Sequence, residues 1–304
     1  MTSTIIEGKT KVIRRGENVG EVILETKDEL TGGDAAKRET IQGIAILKTT
    51  QTSNVFRLLE SHGIPSSFIR PRDERSIVCH ECDMLPLELV SRRYAYGSFL
   101  YREPEMASTR ERPLRFDEVR REIFHKHAVV MPPLVEAPIQ LEEGRARELY
   151  LRDGAWQPGV YTDPLVQIDG GRWFLYPAKA PLEGATPLME TAAVLDAAEV
   201  ARVEEEIMAP TFAVLEQAWA AIETEDGPVA LVDLKIEVGR RKSDGLLVVA
   251  DVIDNDSWRI WPGGDPTRQL DKQCFREDHP LHEVAEKYQL VTALSERFVA
   301  APSA

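Results

Sequence analysis

Between Ala230 and Val238 every even-numbered residue is apolar (Ala230, Val232, Leu234, Ile236, Val238), whereas Asp233, Lys235 and Glu237 occupy odd positions. A strand sends successive side chains to opposite faces, so this segment predicts one core face and one face reading acid, base, acid. Ser243–Gly245 reads as a turn, and Leu246–Ala250 as a second apolar strand ending in Asp251. With a hairpin centred near Asp244, Glu237 and Asp251 stand nearly opposite each other on one face. Two carboxylates so placed repel unless a cation lies between them, and oxygen donors in that number suit magnesium held jointly with substrate phosphates. A solvated hairpin face carrying ordinary charges has the same pattern, and spacing alone does not choose between the two.

The rest of the chain alternates less regularly. Ile5–Ile6, Val12–Ile13 and Val22–Leu24 predict short strands around glycine-containing turns, followed by a helix over 41–62 (Ile44, Leu47, Val55, Leu58, Leu59) that stops at Gly63,. Phe68–Ile69, Ile77–Val78 and the CDMLPLELVSRR stretch predict further strands, the last running into an AYGSF turn. Over 103–147 the pattern is lost among charges and prolines, which predicts an atypical insertion, extended except for a short amphipathic helix at Phe116–Phe124,. Gly170–Gly171 predicts a hairpin. Residues 196–223 predict a long helix broken or kinked at Pro210, and 282–298 a final helix,. Strands and helices without βαβ alternation indicate an α+β protein.

At 304 residues, 43 % hydrophobic and 29 % charged, the chain has the composition of a water-soluble globular protein with room for one large domain or two lobes,. It has no apolar run long enough to cross a bilayer and no signal- or transit-peptide character, so a cytoplasmic protein is the expectation. Three cysteines do not make a disulfide framework,. A net charge of −14 argues against nucleic-acid or membrane-surface partners, but not against small anions met by locally gathered cations,.

Such gatherings occur in few places. Lys9 and Lys11 flank Thr10 after Gly8, where a backbone can approach a phosphate, although a β-turn with solvated lysines reads the same way,. Arg92, Arg93, Ser98 and Arg102 surround Gly97, and guanidinium forks with a hydroxyl suit a phosphate or carboxylate; a basic surface loop is the alternative,. Arg259, Lys272 and Arg276 are interleaved with Asp254, Asp256 and Asp271, as an enzyme of polyanionic substrates requires or as surface ion pairs would be,. Cys79-His80-Glu81-Cys82 has no second ligand pair for zinc, and His125, His127, His279 and His282 read as solvated,.

In order along the chain, IIEGKTKVI, KDELTGGDAAKRETIQG, CDMLPLELVSRRYAYGSFLYR, ELYLRDGAW with TDP, LVDLKIEVG, ADVIDNDSWRIWPGGD and LDKQCFR resemble the SAICAR synthetase family, with VIDNDSWRIWP similar to its animal-type members. The resemblance implies two lobes with ATP between them, a nucleotide-binding one (residues 1–85) built on a small antiparallel sheet and a larger α+β one (86–304), with no carboxylase part following. It implies an ATP-dependent ligase of purine biosynthesis that joins carboxyaminoimidazole ribotide, an anionic imidazole carboxylate, to L-aspartate through an acyl phosphate. By the same resemblance Lys9, Lys11, Met84 and Glu237 meet ATP, and Glu237 and Asp251 bind Mg2+. Lys235, Asp233 and Arg259 serve the chemistry, Lys235 beside the transferred phosphoryl group and Arg259 also on the ribotide. Arg92, Ser98, Asp256, Asp271, Lys272 and Arg276 complete the substrate pocket. The chain departs from the family pattern in having Ile44 after Gly43, in the Leu151–Gly154 segment, and in the length of the stretch between Arg102 and Leu151. These departures keep open a paralogous ligase acting on a related heterocyclic carboxylate, beside a non-catalytic nucleotide-binding protein and a kinase. A homo-oligomer is also left open.

Overall fold

The alternation of residues 230–238 is realised as the strand Gly227–Arg241, but both of its faces are covered. Asp233 and Glu237 are buried with 5 % and 7 % exposure, so the solvated-face reading does not hold. The computed structural model describes residues 3–32 and 37–300; the central GDAA portion (33–36) of the KDELTGGDAAKRETIQG motif lies outside the described residues. Residues 1–84 together with 209–304 form one compact unit, and residues 85–208 form a second. The sequence division at 85/86 therefore differs in where 209–304 belongs. Those residues join the N-terminal unit because the Gly227–Arg241 strand pairs with Cys82–Met84 and the Leu281–Ser295 helix packs on the Ile44–Ser61 helix.

In the first unit five antiparallel strands run in the spatial order Thr4–Glu7, Lys11–Arg15, Glu21–Thr26, Ser76–His80, Phe68–Asp73. The Ile44–Ser61 helix starts at Gly43, whose φ of 85° a β-carbon would disfavour,. Its first N–H groups are satisfied from outside, Asp28 Oδ1 accepting from Gly43 N at 3.1 Å and Ala45 N at 3.0 Å,. Ile44 itself packs in an apolar cluster with Leu30, Ile41, Phe275, Val284 and Tyr288. Elsewhere in this unit the Gly227–Arg241 strand pairs with Leu247–Ala250 and Trp258–Pro262. At Gly239 and Arg240 it is flanked on both edges, by Leu247–Val248 and by Asp83–Met84.

In the second unit the antiparallel order is Leu87–Tyr94, Arg115–His125, Leu165–Asp169, Arg172–Tyr176, Met189–Thr191, with the hairpin turning at Gly170–Gly171 as expected. Phe116–Phe124 is thus a strand and not a helix. A register irregularity between Arg115 and Arg120 breaks the two-residue period, and the resulting apolar spacing imitates a helix,. The presumed insertion also holds the strands Ala128–Val130 and Ile139–Leu141 and the helix Glu143–Tyr150. The long helical run begins at Asp196 with a capping box to Glu199, and is helical over Ala197–Arg202,. It then widens into a π-helical turn at Val203–Met208 and resumes as Ala209–Ala220. Pro210, lacking an N–H, sits just after the widened turn,.

His125 is not solvated but 3 % exposed. Its Nδ1 accepts the backbone N–H of His127 at 3.1 Å, and the Gln140 amide lies 3.1 Å from the ring nitrogens. Burial, then the neighbouring His127, push its pKa down to about 4.

Two outcomes are expected. Because His125 has a folded-state pKa below its unfolded value of ~6.5, its contribution to stability is complete above that pH and is lost as pH falls towards about 4, at most about 3 kcal/mol,. His125→Asn should flatten that part of the stability–pH curve in denaturant titrations at pH 7 and pH 5. A β-carbon on Gly239 would lie 2.7 Å from Cys82 Cβ and 3.0 Å from Met84 Sδ. Gly239→Ala should therefore cost about 1–3 kcal/mol in urea unfolding, by forcing the Cys82–Met84 strand outward.

Candidate active site

Charges on a doubly covered strand need partners, and the Trp258–Pro262 strand supplies the first. Arg259 stands directly opposite Asp233 in the ladder, and the two form an ion pair. Two residues along, Lys235 Nζ lies 3.4 Å from Glu237 Oε1, and Lys235 stays partly exposed. The segment leading into Trp258 is a turn built by its own polar residues: Asp254 Oδ1 accepts Asp256 N at 2.8 Å and Asp254 O accepts Ser257 N at 2.8 Å. Asn255 is wholly buried. Its N–H donates to Gln51 Oε1 (2.8 Å), its Nδ2 to Leu270 O (3.0 Å), and its Oδ1 accepts from Trp258 Nε1 (2.9 Å). The IDNDSW motif is in this way a fixed turn tied to the Ile44–Ser61 helix.

Asp256 is held from three sides. Lys48 Nζ lies 2.8 Å and Lys272 Nζ 3.0 Å from its Oδ2, while Tyr288 OH donates to Oδ1. Lys48 also lies 3.8 Å from Asp254. Burial alone would raise the Asp256 carboxyl, but Lys272 and Lys48 hold it well below the usual carboxylate range. Burial would lower the Lys48 ammonium, but Asp254 and Asp256 keep it above its ordinary value. Burial raises Asp254 and Tyr288 and lowers Lys272. Lys48 and Tyr288 escaped the sequence reading, which named Asp254 only as one of the interleaved acids. Lys48 and Tyr288 sit on apolar-patterned helices far along the chain from their partners, and no local signal marks them.

Asp251 follows the Leu247–Ala250 strand with φ 63°. Glu237 pairs with Ala250, so Asp251 stands one residue beyond the position opposite Glu237, and its left-handed backbone takes it out of the strand's alternation. It forms an ion pair with Lys11, the first residue of the Lys11–Arg15 strand. Lys9 lies in the preceding turn, closed by Gly8 N donating to Lys11 O at 2.8 Å. Met84, 44 % exposed, ends the short strand opposite Gly239. Asp271 is buried; Oδ1 accepts Gln273 N at 2.8 Å, Oδ2 has no hydrogen-bond partner among the described residues, and burial raises its pKa against the opposing pull of Arg259. Arg276 is exposed on the short helix that follows.

Among the described residues no three His, Cys, Asp or Glu side chains form a metal-ligand group. Glu237 and Asp251 are each beside a lysine, and two carboxylates from these neighbouring strand positions could hold a magnesium ion that takes its remaining oxygens from phosphates and water,. Cys79 and Cys82 are free thiols, pushed up by burial to about 12 and about 11, so neither is a thiolate nucleophile at neutral pH,.

The second unit carries the arginine group. Arg92 and Arg102 are almost fully buried and share Glu122, and Arg92 reaches Ser98 Oγ at 3.4 Å. Arg93 instead donates to the backbone carbonyls of Phe116 (3.3 Å) and Asp117 (2.8 Å) and closes the strand pair. The basic-loop reading of Arg92 and Arg102 therefore fails: these guanidiniums are interior.

The chain matches the family model described as SAICAR synthetase over residues 4–154 and 179–293. A phosphoribosylaminoimidazole-succinocarboxamide synthase of Chloroflexus aggregans is 38 % identical over 302 residues, which is 96 % of this chain and 95 % of that one. The crystal structure of such a synthase from Ehrlichia chaffeensis superposes with a TM-score of 0.66 at 22 % identity, covering 99 % of this chain and 100 % of the other. A type-2 SAICAR synthetase in complex with ADP gives 0.65 at 24 % identity over the same shares. The two structures carry the likeness of fold, and the sequence matches carry the kinship: the chain belongs to the SAICAR synthetase family.

Proposed function

We propose that this chain is an ATP-dependent ligase that joins carboxyaminoimidazole ribotide to L-aspartate, giving SAICAR, ADP and phosphate. The observation that carries this reading is the charge set of one strand, buried Asp233 and Glu237 with partly exposed Lys235 between them, and the Lys11–Asp251 ion pair at the end of the adjoining strand. A carboxylate is a poor acyl donor, so its oxygen first attacks the terminal phosphorus of ATP. The bond to the bridging oxygen breaks, ADP leaves, and an acyl phosphate forms. The aspartate amine then attacks the acyl carbon, phosphate departs with the electron pair, and the amine proton is lost to give the amide. Such chemistry calls for positioned charge and not for a nucleophilic side chain.

In this reading Lys9 and Lys11 bind the ATP phosphates, and Lys235 neutralises the phosphoryl group in transfer. Asp233 orients Arg259 through their ion pair. Met84 meets the adenine through its backbone. Glu237 and Asp251 would hold magnesium, which when bound supplies charge neutralisation at the phosphates. Asp256 holds Lys272 in place, and Lys272, Arg276 and Asp271 face the anionic substrates. In the other unit Arg92 and Ser98 receive the ribotide phosphate. Ile44, which raised the alternative of a related carboxylate substrate, is a core residue with 1 % exposure, so its identity answers to packing.

The chain incubated with ATP, Mg2+, carboxyaminoimidazole ribotide and L-aspartate should form SAICAR, followed by absorbance and mass spectrometry. ADP without amide would instead mark a kinase, and ATP binding without reaction would mark a nucleotide-binding protein. Asp251→Asn should lower kcat by at least ~100-fold, since the carboxylate charge that would hold magnesium at the phosphates is lost. Asn tolerates the left-handed backbone as well as Asp does, so its circular dichroism and melting should stay near wild type. Near-normal turnover would rule out the metal assignment.

A further inference from the structure

The strand Arg115–His125 carries the residue on which the Arg92–Ser98 group is built. In the ladder Glu122 stands opposite Val90, which places it diagonally beside Arg92 on the same face,. Its Oε2 accepts from Arg92 Nε at 2.5 Å, and its Oε1 accepts from Arg102 Nε at 3.1 Å and from a terminal nitrogen of the same guanidinium. Arg102, 1 % exposed, also donates to the backbone carbonyls of Ser98 (3.1 Å) and Ala178 (2.6 Å), and its guanidinium lies 5.1 Å from the Phe124 ring centre. Arg120, which faces Arg92 directly across the ladder, lies over the Phe116 ring at 5.5 Å.

Interior guanidiniums must be met by oxygen acceptors, and Glu122 is one that both of these arginines share,. Because both carboxylate oxygens are engaged, the two planar forks are fixed before a ligand arrives, and a fixed fork is what phosphate recognition needs. We propose that Glu122 is a positioning residue: it spans Arg92 and Arg102 and thereby orients Arg92, with Ser98, to receive the phosphate of the acyl substrate. The proposal rests on the ligase reading for the identity of that phosphate, and Glu122 acts on it only through Arg92.

The direction of the effect separates this role from that of a plain counter-charge. A counter-charge opposes anion binding, so Glu122→Gln would then strengthen it. A positioning carboxylate predicts the reverse. The full chain is titrated calorimetrically with ribose 5-phosphate, and steady-state kinetics are run with the ribotide and ATP. For Glu122→Gln, ribose 5-phosphate should bind at least ~10-fold more weakly and the KM for the ribotide should rise about as much, with the KM for ATP and kcat within about threefold. A glutamine variant that binds ribose 5-phosphate as tightly as wild type, or more tightly, overturns the proposal.

Glu122→Asp keeps the charge but is too short to span both arginines, and should bind roughly 3- to 5-fold more weakly. It carries the test if the glutamine variant does not fold, and wild-type affinity there overturns the proposal equally. Ribose 5-phosphate binding needs no turnover, so a wild type that binds it in this Glu122-dependent way without forming SAICAR sinks the ligase reading alone. A wild type that makes SAICAR but shows no Glu122-dependent phosphate binding sinks the positioning role alone.

Discussion

A charged side chain on a strand with cover on both faces must be neutralised where it stands, and in this protein that requirement organises the larger unit. Asp233 and Glu237 come off Gly227–Arg241 with little or no water to share their charge, and Lys235 between them is only partly exposed. Arg259 has to face Asp233, which sets the register of the Trp258–Pro262 strand. That register places the Asp254–Ser257 turn, whose Asn255 is tied to Gln51 and whose Asp256 takes Lys48 from the same helix and Lys272 and Tyr288 from the C-terminal segment. One strand's charges thus propagate into the packing of the helices Ile44–Ser61 and Leu281–Ser295.

These pairs need not make the fold more stable than a hydrocarbon core of equal volume would, since taking both charges from water consumes much of what their attraction returns. What they supply is position. A lysine or carboxylate locked by partners on several sides does not reorganise when a phosphate arrives, and preorganised charge is what phosphoryl transfer needs in the absence of a nucleophile. Lys48, Lys272, Asp254 and Asp256 cancel in formal charge and serve to fix the turn, and Glu122 joins Arg92 to Arg102 in the same locking manner.

Local periodicity made much of this legible. The alternation at 230–238, the helix over 41–62, the hairpin at Gly170–Gly171 and the break near Pro210 each follow from a short-range rule and each is found. Where a local rule was interrupted, the reading slipped. The irregularity in Arg115–His125 imitated a helix, and the hairpin 227–250 turns half a residue before Asp244, so its register puts Ala250 opposite Glu237 and Asp251 one residue past, where a positive φ also takes it out of the strand's alternation. Partners separated by long stretches of chain were not legible at all. Lys48 and Asp256 are 208 residues apart and Tyr288 and Asp256 are 32 apart, and nothing in the sequence around Lys48 or Tyr288 distinguishes them from surface or core. Glu122 lay hidden because its strand was not recognised, and His125 because a buried neutral imidazole leaves no mark in a sequence.

The motifs that carried the family resemblance fall where the fold leaves polar residues the least freedom. In IDNDSW each of Asp254, Asn255, Asp256 and Ser257 has a hydrogen bond that builds the turn or anchors it, and Asn255 alone makes three to separate partners. In LDKQCFR, Asp271 caps the backbone of Gln273, Lys272 reaches Asp256, and Phe275 fills the cluster around Ile44. Changing one such residue strands the partners of several others, because a buried polar group without a partner costs more than its bond contributed. The sequence signal is dense at these positions because chemistry and folding constrain the same atoms. Over 103–147 it thins, since about half of the side chains there are exposed and free of such constraint, while Glu122 within that stretch is fixed by Arg92 and Arg102.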